Sequence, residues 1–324
     1  MSDNTSGIEI PPELQAAKFT LSEVNGIGRH PDITRLDAST ILNIDGRYYV
    51  WYTRLRFTPN WLIPWNTANY SQVWLATSDD GWNWQDYGQV LEDSDPDAWH
   101  ARGKHAPDVL FYDGRYYMYF SAHPGEPVHE KHIGVAIADK PEGPFKHVDG
   151  GPVLSPELDG KSFDARLIDD PCLIVRNGKL WLYYKGRTDM QRKTPLMIGL
   201  AIAETPIGPF VKSDGNPLVK GHTGCVWPHR EGVALIGDVK PPDRALYYSS
   251  DGRHFRKAAE IEVGISDPGV FCPDVYDDVR YGKGVQWGLC QGYEERKLPA
   301  DESGIIVASS FIVRWECDMR APAD

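Results

Sequence analysis

Residues 112–122 read YDGRYYMYFSA, an aspartate-glycine pair followed by a strand in which most positions are aromatic. A two-residue D-G or N-G turn ahead of an alternating apolar run is the strongest short-range hairpin signal. The same phrase occurs at residues 44–54, IDGRYYVWYTR, and at 176–186, RNGKLWLYYKG, so that the turns at Asp45, Asp113 and Asn177 lie 68 and 64 residues apart. Each is followed by a second element: VWLATSDDGWNWQDYG (73–88), IGVAIADKPEGPF (133–145) and IGLAIAETPIGPF (198–210). A fourth copy, EGVALIGDV (231–239) then ALYYSSDGRHF (245–255), is degenerate. A fifth runs from CPDVYDD (272–278) through GVQWGLC (284–290) to SGIIVASSFIVRW (303–315).

Self-similarity at this period, with about four strands per copy, indicates radial repetition of small sheets. The expectation is an all-β chain forming a five-bladed β-propeller in one domain, residues 26–324, after a short N-terminal extension, residues 1–25. Within that extension PPELQAAKF (11–19) predicts a short helix. Tyr48, Tyr116 and Trp181 are expected to pack within or between blades.

Composition narrows the function classes. A formal charge of −12 opposes nucleic-acid binding, which needs clustered Lys and Arg to displace counterions. No run of about 18 apolar residues suggests a membrane span, and no basic segment leads into an apolar one at the start, so a soluble, cytoplasmic chain is expected. The five cysteines show no C-x-x-C spacing and read as buried free thiols.

Propellers bind ligands where their innermost strands converge, and the residues opening those strands point there. Here they are rich in acids and histidines: RLDAST (35–40), KHAPDV (104–109), LIDDPCLI (167–174), GHTGCVWPHREG (221–232) and VFCPDV (270–275). Asp37, Asp108, Asp170, Glu231 and Asp274 are therefore expected to share one funnel, where crowding raises some carboxyl pKa values. Glycoside cleavage needs that asymmetry: one ionised group as base or nucleophile, another holding a proton for the leaving oxygen. Arg35, Lys104, His105 and Arg230 are candidates to hydrogen-bond substrate, and Trp227 to stack on a sugar face. Trp61 and Trp65, in the insertion RFTPNWLIPWNTANY (56–70), suit a substrate wall or a subunit contact equally. His129, His132 and His254 need no function.

The run HAPDVLFYDGRYYMYFS (105–121) resembles the family 43 glycoside hydrolases. GHTGCVWPHREGVALIGDV (221–239), with DGRHF, PGVFCPDVYDD and VQWGLCQG after it and RLDASTILNIDGRYYVWYTR (35–54) before it, is more similar to family 117, whose members resemble neoagarobiose hydrolases. The resemblance covers roughly residues 30 to 317. It implies a five-bladed propeller and an exo-acting, inverting enzyme of agar degradation, releasing 3,6-anhydro-L-galactose from the non-reducing end of α-1,3-linked neoagaro-oligosaccharides.

Carried onto this chain, the resemblance makes Asp37 the general base, Asp170 the group that tunes and orients, and His222 the proton donor. Glu231, matching the glutamate-glycine segment of family 43, is the rival donor. Asp108, Asp274 and Gln291 join the substrate-binding set. Thr223 stands where the family has a glutamate, Asp169 where it has the histidine of His-Asp-Pro, and Gln291 where it has a last-blade histidine. No cofactor is required, though the resemblance allows a structural divalent cation in the central channel, held with the help of His105. The family exchanges a helical N-terminal extension between subunits, and a homodimer is allowed here. Family 43-like cleavage of a galactoside, arabinoside or xyloside, a glycoside phosphorylase, and a sugar-binding propeller without catalysis are the alternatives.

Overall fold

In the computed structural model of the chain the described residues are 7–56, 71–125, 129–191, 193–238, 244–297 and 306–322, so the Trp61 and Trp65 insertion lies outside them. Each expected hairpin is present. The pairs Asp45-Gly46, Asp113-Gly114 and Asn177-Gly178 all take positive φ, which is the two-residue turn that matches strand twist. They set the registers Ile44 opposite Arg47, Tyr112 opposite Arg115 and Arg176 opposite Lys179.

The strands form antiparallel meanders. The first repeat pairs Ile33–Leu36, Arg47–Arg56, Gln72–Ser78 and Trp84–Gln89, and the second Arg102–Tyr112, Arg115–His123, His132–Ala138 and Lys146–His147. The third pairs Leu167–Arg176, Lys179–Arg187, Met197–Ala203 and Val211–Lys212. The fourth and fifth copies share one eight-stranded sheet, joined where His229 and Arg230 pair with Lys283 and Gly282. Among the described residues the five repeats thus make four hydrogen-bonded sheets, because the long strand Gly282–Lys297 reaches across to Thr223–Arg230.

The chain's beginning completes its end. Thr20–Glu23 pairs with Ile306–Arg320, Leu21 opposite Trp315, so part of the N-terminal extension is a strand of the last sheet. The predicted helix is present as Pro12–Gln15, with Leu14 fully buried.

Strand alternation puts successive side chains on opposite faces, so each inner strand feeds two interfaces. Met118 and Phe120 pack on Trp51 and Leu75 of the first repeat, while Tyr119 on the other face packs on Leu173 and Leu182 of the third. Polar handles on these aromatics lock neighbours together. Trp51, Tyr119 and Tyr183, the fifth residues of their strands, donate to the carbonyls of Pro141, Pro206 and Gly252 in the next repeat, at 3.2, 2.7 and 2.9 Å. Tyr116 and Trp181 are buried, and Tyr48 sits edge-on to Phe271 and Trp287 of the fifth repeat, as inter-blade packing requires. All five cysteines are buried free thiols.

Candidate active site

One backbone device recurs at the axis. Asp37, Ala106, Asp170 and Asp267 occupy matching places in the first, second, third and fifth repeats and all have left-handed backbones, with φ of 52°, 48°, 49° and 43°. Three of them precede proline. A non-glycine residue pays roughly 1–2 kcal/mol for this conformation, least for aspartate, and such strain collects at functional sites. Strand pairing slips between Asp169 and Cys172 and between His105 and Asp108, so the third and second repeats bulge there and each turns one side chain from the blade toward the axis. Asp37, Ala106, Asp170, Gly224 and Asp267, one residue from each repeat, line one funnel that opens to solvent.

The funnel is stitched by side chains from the strands behind it. The Thr53 hydroxyl accepts the Ala106 N–H at 2.8 Å and donates to the Asp37 carboxylate. Ser121 accepts the Asp170 N–H at 3.1 Å. Asp108 receives the N–H of Thr40 at 3.0 Å and of Leu173 at 2.9 Å, tying three repeats together on the funnel floor. Burial pushes its carboxyl up to about 6, against those hydrogen bonds.

The acids are not equivalent. Burial, then the charges of Asp267 and Asp170, push Asp37 up to about 7, with His105 and Thr53 opposing. Asp170 is held by the Lys185 ammonium at 2.5 Å. Asp169, beside it, meets Lys131 and His105 at 2.9 Å and Lys185 at 3.4 Å. Burial works against its ionisation, yet these cations hold its carboxyl well below the usual carboxylate range. His222, half-buried, places Nδ1 3.2 Å from Asp267 Oδ1. Burial and Lys185 lower its pKa, but Asp267 and Asp170 outweigh them, and the imidazole is raised above its ordinary 6.5.

Several sequence expectations are corrected. Glu231 is exposed in the turn between Thr223–Arg230 and Gly232–Asp238, at the far end of the strand whose Gly224 lines the funnel. Seven residues at about 3.3 Å each separate them, so Glu231 cannot protonate anything at the axis. Trp227 is fully buried in the apolar cluster of the third, fourth and fifth repeats and offers no face to a sugar. Arg35 is buried on the Gly28 carbonyl and Asp86, and Lys104 donates to the Glu92 carbonyl and Ser94. Arg230 pairs with Glu13 of the N-terminal helix. Asp274 accepts Cys272 Sγ–H and the Lys283 N–H in a turn, not at the funnel. Gln291 is buried behind the strand ends: its main-chain N–H donates to the Ser266 carbonyl, next to Asp267, and its side chain to the Ser310 hydroxyl.

Among the described residues two donor groups have the composition of a cation site: His105 with Asp169 and Asp170, and Asp170 with His222 and Asp267, each set within 4.8 Å. In both, lysine ammoniums already lie on the carboxylates, Lys185 on Asp170 and Lys131 on Asp169. These residues do not fit a divalent ion.

The sequence reading missed Asp267, Lys185 and Lys131. The first had a signal: Asp267-Pro268 repeats Asp170-Pro171, whereas the Asp274-Val275 register was followed instead. The lysines had none until the strands were stacked.

A family model for glycosyl hydrolases family 43 matches residues 34–186. An extracellular endo-α-(1→5)-L-arabinanase of Thermotoga petrophila is 30% identical over 173 residues, 45% of this chain and 32% of that protein. A xylosidase/arabinosidase of Humicola insolens is 37% identical over 89 residues, 27% of this chain and 23% of its own. The chain thus spans a third or less of these curated relatives. A solved family 117 glycoside hydrolase from the marine bacterium Zobellia galactanivorans superposes with a TM-score of 0.83 at 30% identity, covering 96% of this chain and 93% of that one. With identity at that level along almost all of both chains, over a propeller whose repeats converge on an acid-lined funnel, the chain belongs to glycoside hydrolase family 117 and is a glycoside hydrolase.

Proposed function

We propose that the chain is an exo-acting, inverting glycosidase that releases 3,6-anhydro-L-galactose from neoagaro-oligosaccharides, with Asp37 as general base and the His222–Asp267 pair as proton donor. The observation that supports this is the division of the funnel into a carboxyl at about 7, Asp37, and an imidazole raised by its carboxylate partner. Ionised Asp37 takes a proton from water as the water oxygen attacks the anomeric carbon. The bond from that carbon to the bridging oxygen breaks, and protonated His222 gives its proton to the departing oxygen. The products are the two hydroxyl compounds; Asp37 then releases its proton to solvent and His222 takes one up, which resets the site. Asp267 holds the Nδ1 side, leaving Nε2 as the donor.

The pH dependence follows. Activity rises with pH through about 7 as Asp37 ionises, and falls again as His222 loses its proton, giving a bell near neutrality. A rate that is flat from pH 5 to 9 contradicts this assignment.

The names of the matched relatives favour a second reading, cleavage of an arabinoside or xyloside at the same funnel. Purified protein is assayed with neoagarobiose, neoagarotetraose and aryl arabinosides, xylosides and galactosides, with the product anomer followed by proton NMR. Release of anhydro-galactose that is lost in Asp37→Asn and His222→Gln supports the first reading. Cleavage of an aryl pentoside alone replaces it with the second, and product of retained configuration removes the inverting mechanism.

A further inference from the structure

Strands beginning at Arg47, Arg115 and Lys179 each reach the funnel at their seventh residue: Thr53, Ser121 and Lys185. In the first two repeats a hydroxyl there braces the backbone of an axial residue. The third repeat has a lysine, 6% exposed, directly opposite Asp169 in the register and with its ammonium on Asp170. A compact ammonium with three donors can serve both acids, and Lys185 does so at 2.5 and 3.4 Å. Two adjacent buried carboxylates with no counter-charge would take up a proton.

We propose that Lys185 is a positioning residue of the active site: its ammonium clamps the Asp170 carboxylate from behind and supplies, from within the blade, the fixed positive charge that a bound cation would give such a cluster. The proposal rests on the hydrolytic reading above for its kinetic consequence, but its electrostatic consequence is independent of any substrate. Clamped Asp170 is not the proton donor. It serves as a fixed negative wall that faces Asp37 on one side and His222 on the other. The charged groups around His222 are Asp267, Asp170 and Lys185, and those around Asp37 are Asp267, Asp170 and His105, so loss of Lys185 acts on the whole set.

The test compares Lys185→Met, which keeps all but the last atom of the chain and removes the charge, with Lys185→Arg, which keeps the charge. Each is measured by circular dichroism, by steady-state kinetics and by NMR titration of labelled histidine, with His222→Gln assigning the His222 signal. The expected result for Lys185→Met is a fall in kcat of about 100-fold with KM changed less than about threefold, as for loss of a preorganised charge. Its His222 midpoint moves by about half a unit or more, upward where Asp170 stays ionised without the repelling cation and downward where Asp170 takes up a proton. Lys185→Arg recovers much of kcat and leaves the midpoint in place. Wild-type kcat, or an unmoved His222 midpoint, in folded Lys185→Met overturns the proposal. If Lys185→Met does not fold, Lys185→Thr, the residue of the first repeat, replaces it, and failure of both makes Lys185 a folding residue and overturns the proposal too. Asp37→Asn in parallel separates the two ideas: full turnover in that variant sinks the hydrolytic reading, while the His222 titration still judges Lys185.

Discussion

Asp37 carries opposite demands from chemistry and stability. Its carboxyl is raised to about 7 in the fold, first by burial and then by Asp267 and Asp170, against an ordinary value of 3.8. The sign is the reverse of a salt-bridged aspartate. Between about pH 4 and pH 7 the folded chain binds the proton that the unfolded chain has released, so stability falls as pH rises through that window and levels off above it. Asp37→Asn, which keeps the shape without the charge, is expected to cost between about 10² and 10⁴ in kcat while raising Tm by a few degrees at pH 8. The gain disappears near pH 4, where both side chains are neutral. Thermal melts at the two pH values check this, and equal or lower Tm at pH 8 contradicts it. Asp169 behaves in the opposite sense: its lowered pKa contributes stability above the unfolded value that is lost as pH falls.

At the scale of the strand, position along the element decides which polar residues meet the ligand. The strand Thr223–Arg230 has a funnel end, near Gly224, and a rim end, where Arg230 meets Glu13 and Glu231 turns into the next strand. Glu231→Gln is therefore expected to leave kcat/KM within about twofold, as a surface change away from the site should. A 100-fold loss in that variant would require the proton donor to be reassigned. Gly178, with φ of 68° and open space where a Cβ would stand, isolates the cost of turn geometry. Gly178→Ala should destabilise by about 1–2 kcal/mol through backbone strain alone, with unchanged kinetics, in denaturant melts. Asp170 shows how the strand serves the site: a bulge at a strained residue before proline turns its carboxylate out of the sheet, and the next strand provides the lysine that receives it.

At the scale of the whole molecule, closure joins the ends of the chain. Ile8, Leu14 and Phe19 are buried in the same apolar cluster as Trp315, and Thr20–Glu23 forms a strand against Ile306–Arg320. Glu13 adds a pair to Arg230 and a contact to buried His229 at 2.9 Å. Three apolar side chains at about 1.5–3 kcal/mol each place the worth of this closure near the whole stability of a typical domain. Deletion of residues 1–24 is expected to lower Tm by at least on the order of 10 °C or to yield insoluble protein. An unchanged melt would mean that the last sheet closes without its N-terminal strand. The site depends on this indirectly, because Asp267 precedes the strand Gly269–Val270, which pairs with Gly282–Lys297 in the same sheet.

The sequence by itself determined what local chemistry can determine. Paired aspartate-glycine and asparagine-glycine turns allow one hairpin geometry, and aromatic alternation repeated at a fixed interval needs neighbours on both faces, so the repeats and their radial arrangement were legible. So was the place of Asp37 and Asp170 at the funnel, because each stands in a recognisable phrase seven or eight residues ahead of its hairpin turn, and of His222 through its resemblance to a family motif. Only the tertiary structure decided which other polar residues join them. Bulges and left-handed residues set the axial position, two places before Asp108 in the second repeat and seven before Asp274 in the fifth, so that Asp267 lines the funnel and Asp108 is left as a stitch. A tryptophan or arginine inside a promising phrase, as with Trp227 and Arg35, faces core or axis according to strand parity and packing. Lys185 meets Asp169 across a bulged hairpin and Lys131 reaches it from the second repeat, and neither ion pair carries a motif in the order of residues.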